Sequence, residues 1–162
     1  MNSNEVFVFG SNAQGFHGAG SAGFAFRGDS RNTWRNDANF LRAIGAPAGS
    51  EEKVGKLAIF GQARGFMQGR EGYSFAICTV TKPGKRRSIT RREIASQLRE
   101  LWRFARTHPE FMFKMTPVGA GYAGYSREEM MEVMDWLLDT EGRPANISNL
   151  ECYRKQILKE ET

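Results

Sequence analysis

The chain has 162 residues, of which 40% are hydrophobic, 12% are aromatic and 25% are charged. This length fits one domain that buries most of its unfolded surface, and the composition excludes a disordered or fibrous protein. The net charge of +5 is unevenly spread, because six Lys or Arg residues fall within residues 82–92, the basic segment. We therefore expect a single domain over residues 1–162 that carries one basic patch.

The first half of the chain predicts strands separated by glycine-rich turns. Residues 6–9 form a short apolar run, too short for a helix, which indicates a buried strand. Residues 30–44 predict a helix or irregular structure. Residues 57–60 and 73–80 predict two further strands, and residues 61–72 between them predict a turn or an exposed loop.

The second half of the chain changes to helical periodicity. Thr90 and Glu93 have the spacing of a capping box at the start of a helix, and Pro109 ends the helical pattern. Residues 111–115 predict another strand. Ser126 then opens a second helix, whose apolar residues again recur at helical spacing.

The tail at residues 147–158 predicts one more strand and a short terminal helix. Strands and helices that alternate in this way indicate an α/β fold, in which ligands bind beyond the carboxyl ends of the strands. Two glycine-rich segments follow predicted strands, so we expect a binding site where they meet.

The first glycine loop, residues 10–23, contains five glycines and follows the first predicted strand. Glycines let backbone N–H groups turn inward, and a helix that starts after the loop adds a partial positive charge suited to a diphosphate. The alternative interpretation is a flexible turn or hairpin. The loop lacks the Gly-Lys-Ser/Thr ending of a Walker loop, and no convincing acidic residue follows it as in dinucleotide oxidoreductases.

The second glycine loop, residues 116–125, follows the strand predicted at residues 111–115 and precedes the helix that opens at Ser126. Two such loops in one small domain are much harder to explain as accidental turns than one. Together they can clamp a pyrophosphate from two sides.

These two segments resemble the macrodomain family. Ser11-Asn12 with Gly18-Ala19-Gly20 is similar to the family's early loop, and residues 118–125 are similar to its late loop. The resemblance implies a three-layer α/β/α sandwich with a mixed, mostly parallel sheet, and a cleft for ADP-ribose or a related NAD-derived nucleotide. Residues 18–22 particularly resemble the branch that includes terminal ADP-ribose glycohydrolases. That branch has an acidic residue after the late loop, where this chain has Ala123 and Gly124.

Individual side chains in the loops have alternative interpretations. Asn12 is either a ribose or water contact or a turn residue bonded to its own backbone. His17, expected to be accessible, is either an acid–base group or ribose contact, or merely exposed. Tyr122 and Tyr125 either close over the ribose or adenine or pack beneath the loop. Asn12 and His17 are the candidate catalytic residues. The candidate ligand-binding residues are Gly10, Ser11, Asn12, Gly18, Ala19, Gly20, Ser21, Val118, Gly119, Ala120, Gly121, Tyr122 and Tyr125.

An alternative function is nucleic-acid binding through the basic segment. Its six positive charges favour a polyanion, and the alternative interpretation is a solvated loop and helix start. No aromatic residue is interleaved among them, which weakens a single-strand-binding interpretation.

The two cysteines, Cys78 and Cys152, lie in apolar segments with no His or Cys at zinc-ligand spacing. We expect reduced thiols in the core, no metal and no cofactor. The sequence has no basic leader and no apolar stretch of signal-peptide or membrane-spanning length. It therefore predicts a cytoplasmic protein that makes no membrane contact.

Overall fold

A computed structural model describes residues 4–15, 17, 20–28, 54–82 and 84–153. Within these ranges the chain forms a five-stranded sheet and three α-helices. The strands are β1 (Glu5–Asn12), β2 (Gly65–Gln68), β3 (Tyr73–Val80), β4 (Met112–Lys114) and β5 (Ile147–Ser148). The helices are α1 (Gly20–Arg27), α2 (Arg91–Thr107) and α3 (Arg127–Glu141).

The strands lie in the order β2-β3-β1-β4-β5, so β1 is at the centre of the sheet. It pairs in parallel with both β3 and β4, and β5 pairs in parallel with β4. Only β2, at one edge, runs antiparallel to its neighbour. The carboxyl ends of β1, β3 and β4 therefore lie along one edge of the sheet.

The residues of β1 alternate between the two faces of the sheet. Val6 and Val8 pack in the cluster that contains the buried residues of α2 and α3. Phe7 and Phe9 pack in a second cluster with Ala22 and other residues of α1. Helices thus cover both faces, and the predicted α/β class with a mixed sheet is confirmed. None of the helices in the described ranges has the length and apolar composition needed to cross a membrane.

The predicted helix starts are confirmed by their caps. The Thr90 side chain accepts a hydrogen bond from the backbone N–H of Glu93 at 3.1 Å, and α2 begins at the next residue. At α3, Ser126 and Glu129 form a complete capping box, in which each side chain accepts from the other's backbone N–H. Each cap satisfies N–H groups that the first helical turn leaves without a carbonyl.

The strand predicted at residues 57–60 is wrong. Only an isolated antiparallel bridge between Val54 and Ile59 forms there, and Gly55 donates a backbone hydrogen bond to Ala58 at 2.8 Å that closes a turn. Leu57 and Ala58 are buried in the same cluster as residues of α1, and Ile59 packs against it. Their burial comes from packing rather than from a strand ladder, and a short apolar run does not distinguish the two.

Other boundaries also differ from the prediction. The range 61–72, predicted as a turn or exposed loop, contains the four-residue edge strand β2. The first strand extends to Asn12, so three residues assigned to the first glycine loop belong to β1. The prediction for residues 30–44 lies outside the described residues, as does most of the predicted terminal helix.

The side chain of Gln97 on α2 completes the hydrogen bonding of β3. Strand β2 begins at Gly65, which pairs with Ala76, so its pairing with β3 does not reach Cys78. The Gln97 amide is buried beside Cys78, where it accepts from the backbone N–H at 2.6 Å and donates to the carbonyl at 2.8 Å. One side chain therefore satisfies two peptide groups that β2 does not reach.

We predict that Gln97→Leu lowers the free energy of unfolding by about 2–4 kcal/mol, because it leaves two buried peptide groups without partners. Urea denaturation of the variant beside wild type measures this loss. Ser96→Ala, at the exposed neighbouring position, is the control and should stay within about 0.5 kcal/mol of wild type. Equal stability of the two variants would contradict the structural role of Gln97.

Candidate functional site

Three connecting segments meet at the carboxyl edge of the sheet. The first glycine loop follows β1, the basic segment follows β3 and the second glycine loop follows β4. β3 and β4 flank β1 on opposite sides, so the connecting segments that leave this edge run in different directions. Such a switch point opens a crevice where α/β proteins commonly bind ligands. The expectation that both glycine loops follow strands at a common edge is confirmed.

The first glycine loop rests on residues 59–63, the support loop. Gly61 donates a backbone hydrogen bond to the carbonyl of Gly15 at 2.9 Å, and the Ser11 hydroxyl donates to the carbonyl of Ala63. At Gly15 φ is +71°, and a Cβ there would lie 2.4 Å from the carbonyl carbon of Gly61. Only glycine fits this contact.

His17 is buried between the first glycine loop and the support loop. Its Nε2 lies 2.9 Å from the carbonyl oxygen of Ile59 and 3.0 Å from that of Gln62. Both partners are acceptors, so Nε2 carries the proton. The ring packs edge-on against Phe9 at 5.3 Å and also contacts Phe26. The expectation of an accessible His17 is therefore wrong, because backbone bonds and aromatic packing hold the side chain inside the protein.

Burial also determines the protonation state of His17. Desolvation lowers its pKa to about 4, although the two carbonyl contacts act in the opposite direction. The imidazole is therefore neutral at pH 7. Its Nδ1 is buried and has no hydrogen-bond partner within the described part of the chain.

Asn12, at the end of β1, is also buried. Its Oδ1 accepts a hydrogen bond from the backbone N–H of Gln14 at 3.1 Å, which is the turn-residue interpretation of this side chain. Of the remaining candidates, Gly10 lies within β1 and its Cβ position is 3.3 Å from the Thr79 hydroxyl. Gly10 therefore packs closely against β3.

A helix does form here, but it begins inside the range assigned to the first glycine loop rather than after it. Helix α1 begins at Gly20, where φ is +60°, and continues through Ser21. Its first turn contains no acidic residue. Gly18 and Ala19, the other expected phosphate contacts, lie outside the described residues.

The second glycine loop contains three glycines at positive φ with different surroundings. A Cβ at Gly119 would lie 2.5 Å from the Met130 sulfur, and one at Gly124 would lie 2.9 Å from the Arg86 Cβ. At Gly121, where φ is +79°, no atom of the described residues lies within 4 Å of the Cβ position. Gly119 and Gly124 therefore face the protein, whereas Gly121 faces open space.

The loop around these glycines is held by its own backbone and by the core. Ala120 donates to the carbonyl of Pro117 at 3.2 Å, and the Thr116 hydroxyl donates to the carbonyl of Val8 at 2.7 Å. Val118 is buried in the cluster with α2 and α3. The backbone N–H of Ala120 is thus engaged within the loop, although we expected it to contact a phosphate.

The basic segment packs directly on the second glycine loop, which the sequence did not indicate. The backbone N–H of Arg87 donates to the carbonyl of Ala123 at 2.7 Å, and the Arg86 guanidinium donates to the carbonyl of Gly121 at 3.4 Å. Arg87 has φ of +54°, a conformation that non-glycine residues seldom adopt. This part of the basic segment forms a wall of the second glycine loop.

Tyr125 lies beneath that wall. It is buried, its hydroxyl donates to the carbonyl of Ile89 at 2.6 Å, and the Arg87 guanidinium lies 4.8 Å from the centre of its ring. Of the two interpretations of Tyr125, the structure supports packing under the loop. The side chain of Tyr122 lies outside the described part of the chain.

The site offers few groups for covalent or metal chemistry. Cys78 and Cys152 are free thiols, and burial raises the pKa of both, that of Cys152 to about 11. In the described ranges, no group of three or more His, Cys, Asp or Glu side chains could hold a metal ion. What the carboxyl edge does provide is glycine backbone, a helix start and arginine, which suit an anionic ligand.

No protein-family model matches this chain, and no curated protein matches its sequence. The support loop and the contacts of Arg86 and Arg87 are site features that sequence reasoning missed. In the sequence, the support loop is marked only by the glycines at positions 61 and 65. The three residues between them have no distinctive pattern.

We predict that His17 makes the protein less stable in acid. Its folded pKa of about 4 lies below the unfolded value of 6.5, so the unfolded chain binds the proton more readily. Stability is therefore unaffected by this group above pH 6.5 and falls as the pH decreases from 6.5 towards 4, by about 2 kcal/mol between pH 7 and pH 4.5. Urea denaturation at both pH values measures the loss.

His17→Gln retains a side-chain donor for the two carbonyls but does not titrate. Its loss of stability between pH 7 and pH 4.5 should therefore be smaller than that of wild type by about 2 kcal/mol. His108→Gln is the control, since His108 is the other histidine of the chain, and it should retain the wild-type dependence. A wild-type pH dependence in His17→Gln would show that other groups cause the acid sensitivity.

Proposed function

We propose that this chain binds ADP-ribose or a related NAD-derived nucleotide in a cleft between its two glycine loops, in a macrodomain-like α/β/α sandwich. The observation that carries the proposal is the position of Gly20 and Gly121. Gly20 begins α1 just after β1, and Gly121 lies after β4, the neighbouring parallel strand. Both glycines thus belong to segments that leave the same edge of the sheet.

The electrostatics of this edge favour a diphosphate. The amino terminus of α1 carries a partial positive charge, and its first turn has no carboxylate that would oppose an anion. On the opposite side, the Arg86 guanidinium and the Arg87 backbone N–H bond to the second glycine loop, and the Arg87 guanidinium is paired with Glu129. Backbone N–H groups and guanidinium groups are the donors that recognise phosphates most often.

Gly121 supports close approach of a ligand. It is exposed, has positive φ and has open space at its Cβ position, so a side chain there would project into that space. Glycine at such a position is favoured by its backbone conformation and leaves room for a phosphate.

The side chains favour binding over hydrolysis. Asn12 and His17, the two catalytic candidates, are buried and bonded to backbone groups. His17 is neutral at pH 7 and a weak base, because burial lowers its pKa to about 4. Ala123 and Gly124 stand where the resembling glycohydrolase branch has an acidic residue. The proposed activity is therefore reversible binding of the nucleotide.

We predict that wild type is stabilised by ADP-ribose and that Gly121→Val is not. For wild type, a ligand concentration one hundred times the dissociation constant should add about 2.7 kcal/mol to the free energy of unfolding. The valine side chain would occupy the open space and would adopt positive φ at a cost of about 1–2 kcal/mol. Thermal-shift titration and calorimetry measure the loss of binding.

Gly142→Val is the matched control, because Gly142 has φ of +74° and follows α3, away from either glycine loop. It should lose similar stability and retain wild-type affinity. Wild-type affinity in folded Gly121→Val would remove the second glycine loop from the site. A wild type that binds neither ADP-ribose nor NAD would contradict the proposed function.

We further predict no release of ADP-ribose from an ADP-ribosylated peptide. A positioned general acid or base contributes roughly 10²–10⁴-fold to such a reaction, and neither buried candidate is placed to supply it. Chromatography of the peptide after prolonged incubation tests this. Turnover that is abolished by His17→Gln would show that His17 becomes accessible and takes part in catalysis.

A further inference from the structure

A groove of about 520 Å³ lies between α2 and α3, and none of its lining residues belongs to either glycine loop. Its apolar part is formed by Ala95, Val133 and Trp136. The volume falls within the usual range for sites that hold small ligands or a single anchoring group.

Trp136 is the unusual member of this groove. It is 41% exposed, whereas Trp102 on α2 is fully buried. The Arg99 guanidinium lies over the Trp136 ring at 5.2 Å from its centre. An exposed indole beside a cation offers a flat apolar surface for stacking, and a soluble protein gains little from leaving that surface uncovered.

The charges around the groove are mainly positive. Arg91, Arg92 and Arg99 line it, against the single carboxylate of Glu132. Arg91 pairs with Glu132 at 3.1 Å and Arg99 pairs with Glu141 at 3.3 Å. Arg92 forms no ion pair with any residue that the structure describes, so the groove has an excess positive charge.

Further positive charges precede the groove residues in the sequence. Arg91 and Arg92 are the last two residues of the basic segment, whose exposed Lys82 and Lys85 precede α2. Several cations close together in the sequence favour a chain of anions over one small anion.

We propose that the groove binds single-stranded nucleic acid, with one base stacked on Trp136 and the adjoining phosphates beside the arginines. A cationic groove combined with an exposed aromatic ring is the usual composition of such sites. An acidic peptide could pair with the arginines but would leave the Trp136 indole uncovered. The combination of arginines with an exposed aromatic ring therefore favours nucleic acid. This site is separate from the proposed nucleotide cleft.

The experiment titrates the full chain, at low salt, with a fluorescein-labelled deoxythymidine oligonucleotide of roughly 12 nucleotides. We expect saturable binding that weakens steeply with salt and quenches tryptophan fluorescence. Trp136→Ala should reduce the affinity by about 5- to 150-fold, the usual effect of losing one stacked base. Unchanged affinity in Trp136→Ala, or no binding by wild type, would overturn the proposal.

Two arginines on α2 provide a matched pair of variants. Arg99 and Arg103 both pair with the same oxygen of Glu141, at 3.3 and 3.6 Å, but only Arg99 lines the groove and contacts one face of the Trp136 ring. Arg99→Gln should weaken oligonucleotide binding several-fold, whereas Arg103→Gln should stay within about two-fold of wild type. Equal losses would indicate a nonspecific charge effect and would overturn the site.

Further binding experiments distinguish the oligonucleotide from other ligands that the groove could hold. Gly121→Val should bind the oligonucleotide like wild type, and loss of binding there would place the oligonucleotide in the glycine-loop cleft instead. A polyglutamate peptide and thymidine monophosphate should each compete at least about ten-fold more weakly than unlabelled oligonucleotide. Equal competition by the peptide would make the groove a protein-docking site, and equal competition by the mononucleotide would make it a small-molecule site.

Discussion

The arrangement of the molecule depends on the parallel pairing of β1 with a strand on each side. β1 lies between β3, which pairs with Val6–Asn12, and β4, which pairs with Glu5–Phe7, and its side chains are buried on both faces. Parallel pairing also brings three strand ends to one edge of the sheet, although they are far apart in sequence.

The loops at this edge stabilise one another as well as the sheet. The support loop holds the first glycine loop through Gly15 and His17, and the basic segment holds the second through Ala123 and Tyr125. Binding residues of α/β proteins generally lie on loops, which are more mobile than helices and strands. Fixed backbone contacts limit that motion here. Pre-organisation of this kind reduces the entropy that a bound nucleotide has to offset.

Much of the fold could be predicted from local signals. Strand β3 is a long apolar and β-branched run, and α2 and α3 have capping residues at Thr90 and Ser126, so local chemistry alone indicates them. The stretch at residues 57–60 was mistaken for a strand because burial against α1 and burial in a sheet select the same residues. The position of His17 was wrong for another reason. Its two carbonyl partners are more than 40 residues away, and no spacing rule links them.

The contact between Gln97 and Cys78 occupies two peptide groups that could otherwise pair with another strand. A strand end whose peptide groups point outward can recruit a strand from another molecule, which is a common route to aggregation. The pairing of β2 with β3 stops at Gly65 and Ala76. Beyond this pair, towards its carboxyl end, β3 would present such groups at Cys78. The Gln97 amide already occupies both of them. The buried Gln97 side chain therefore takes the place of a neighbouring strand at Cys78. Without it, a longer β2 would have to pair with these peptide groups.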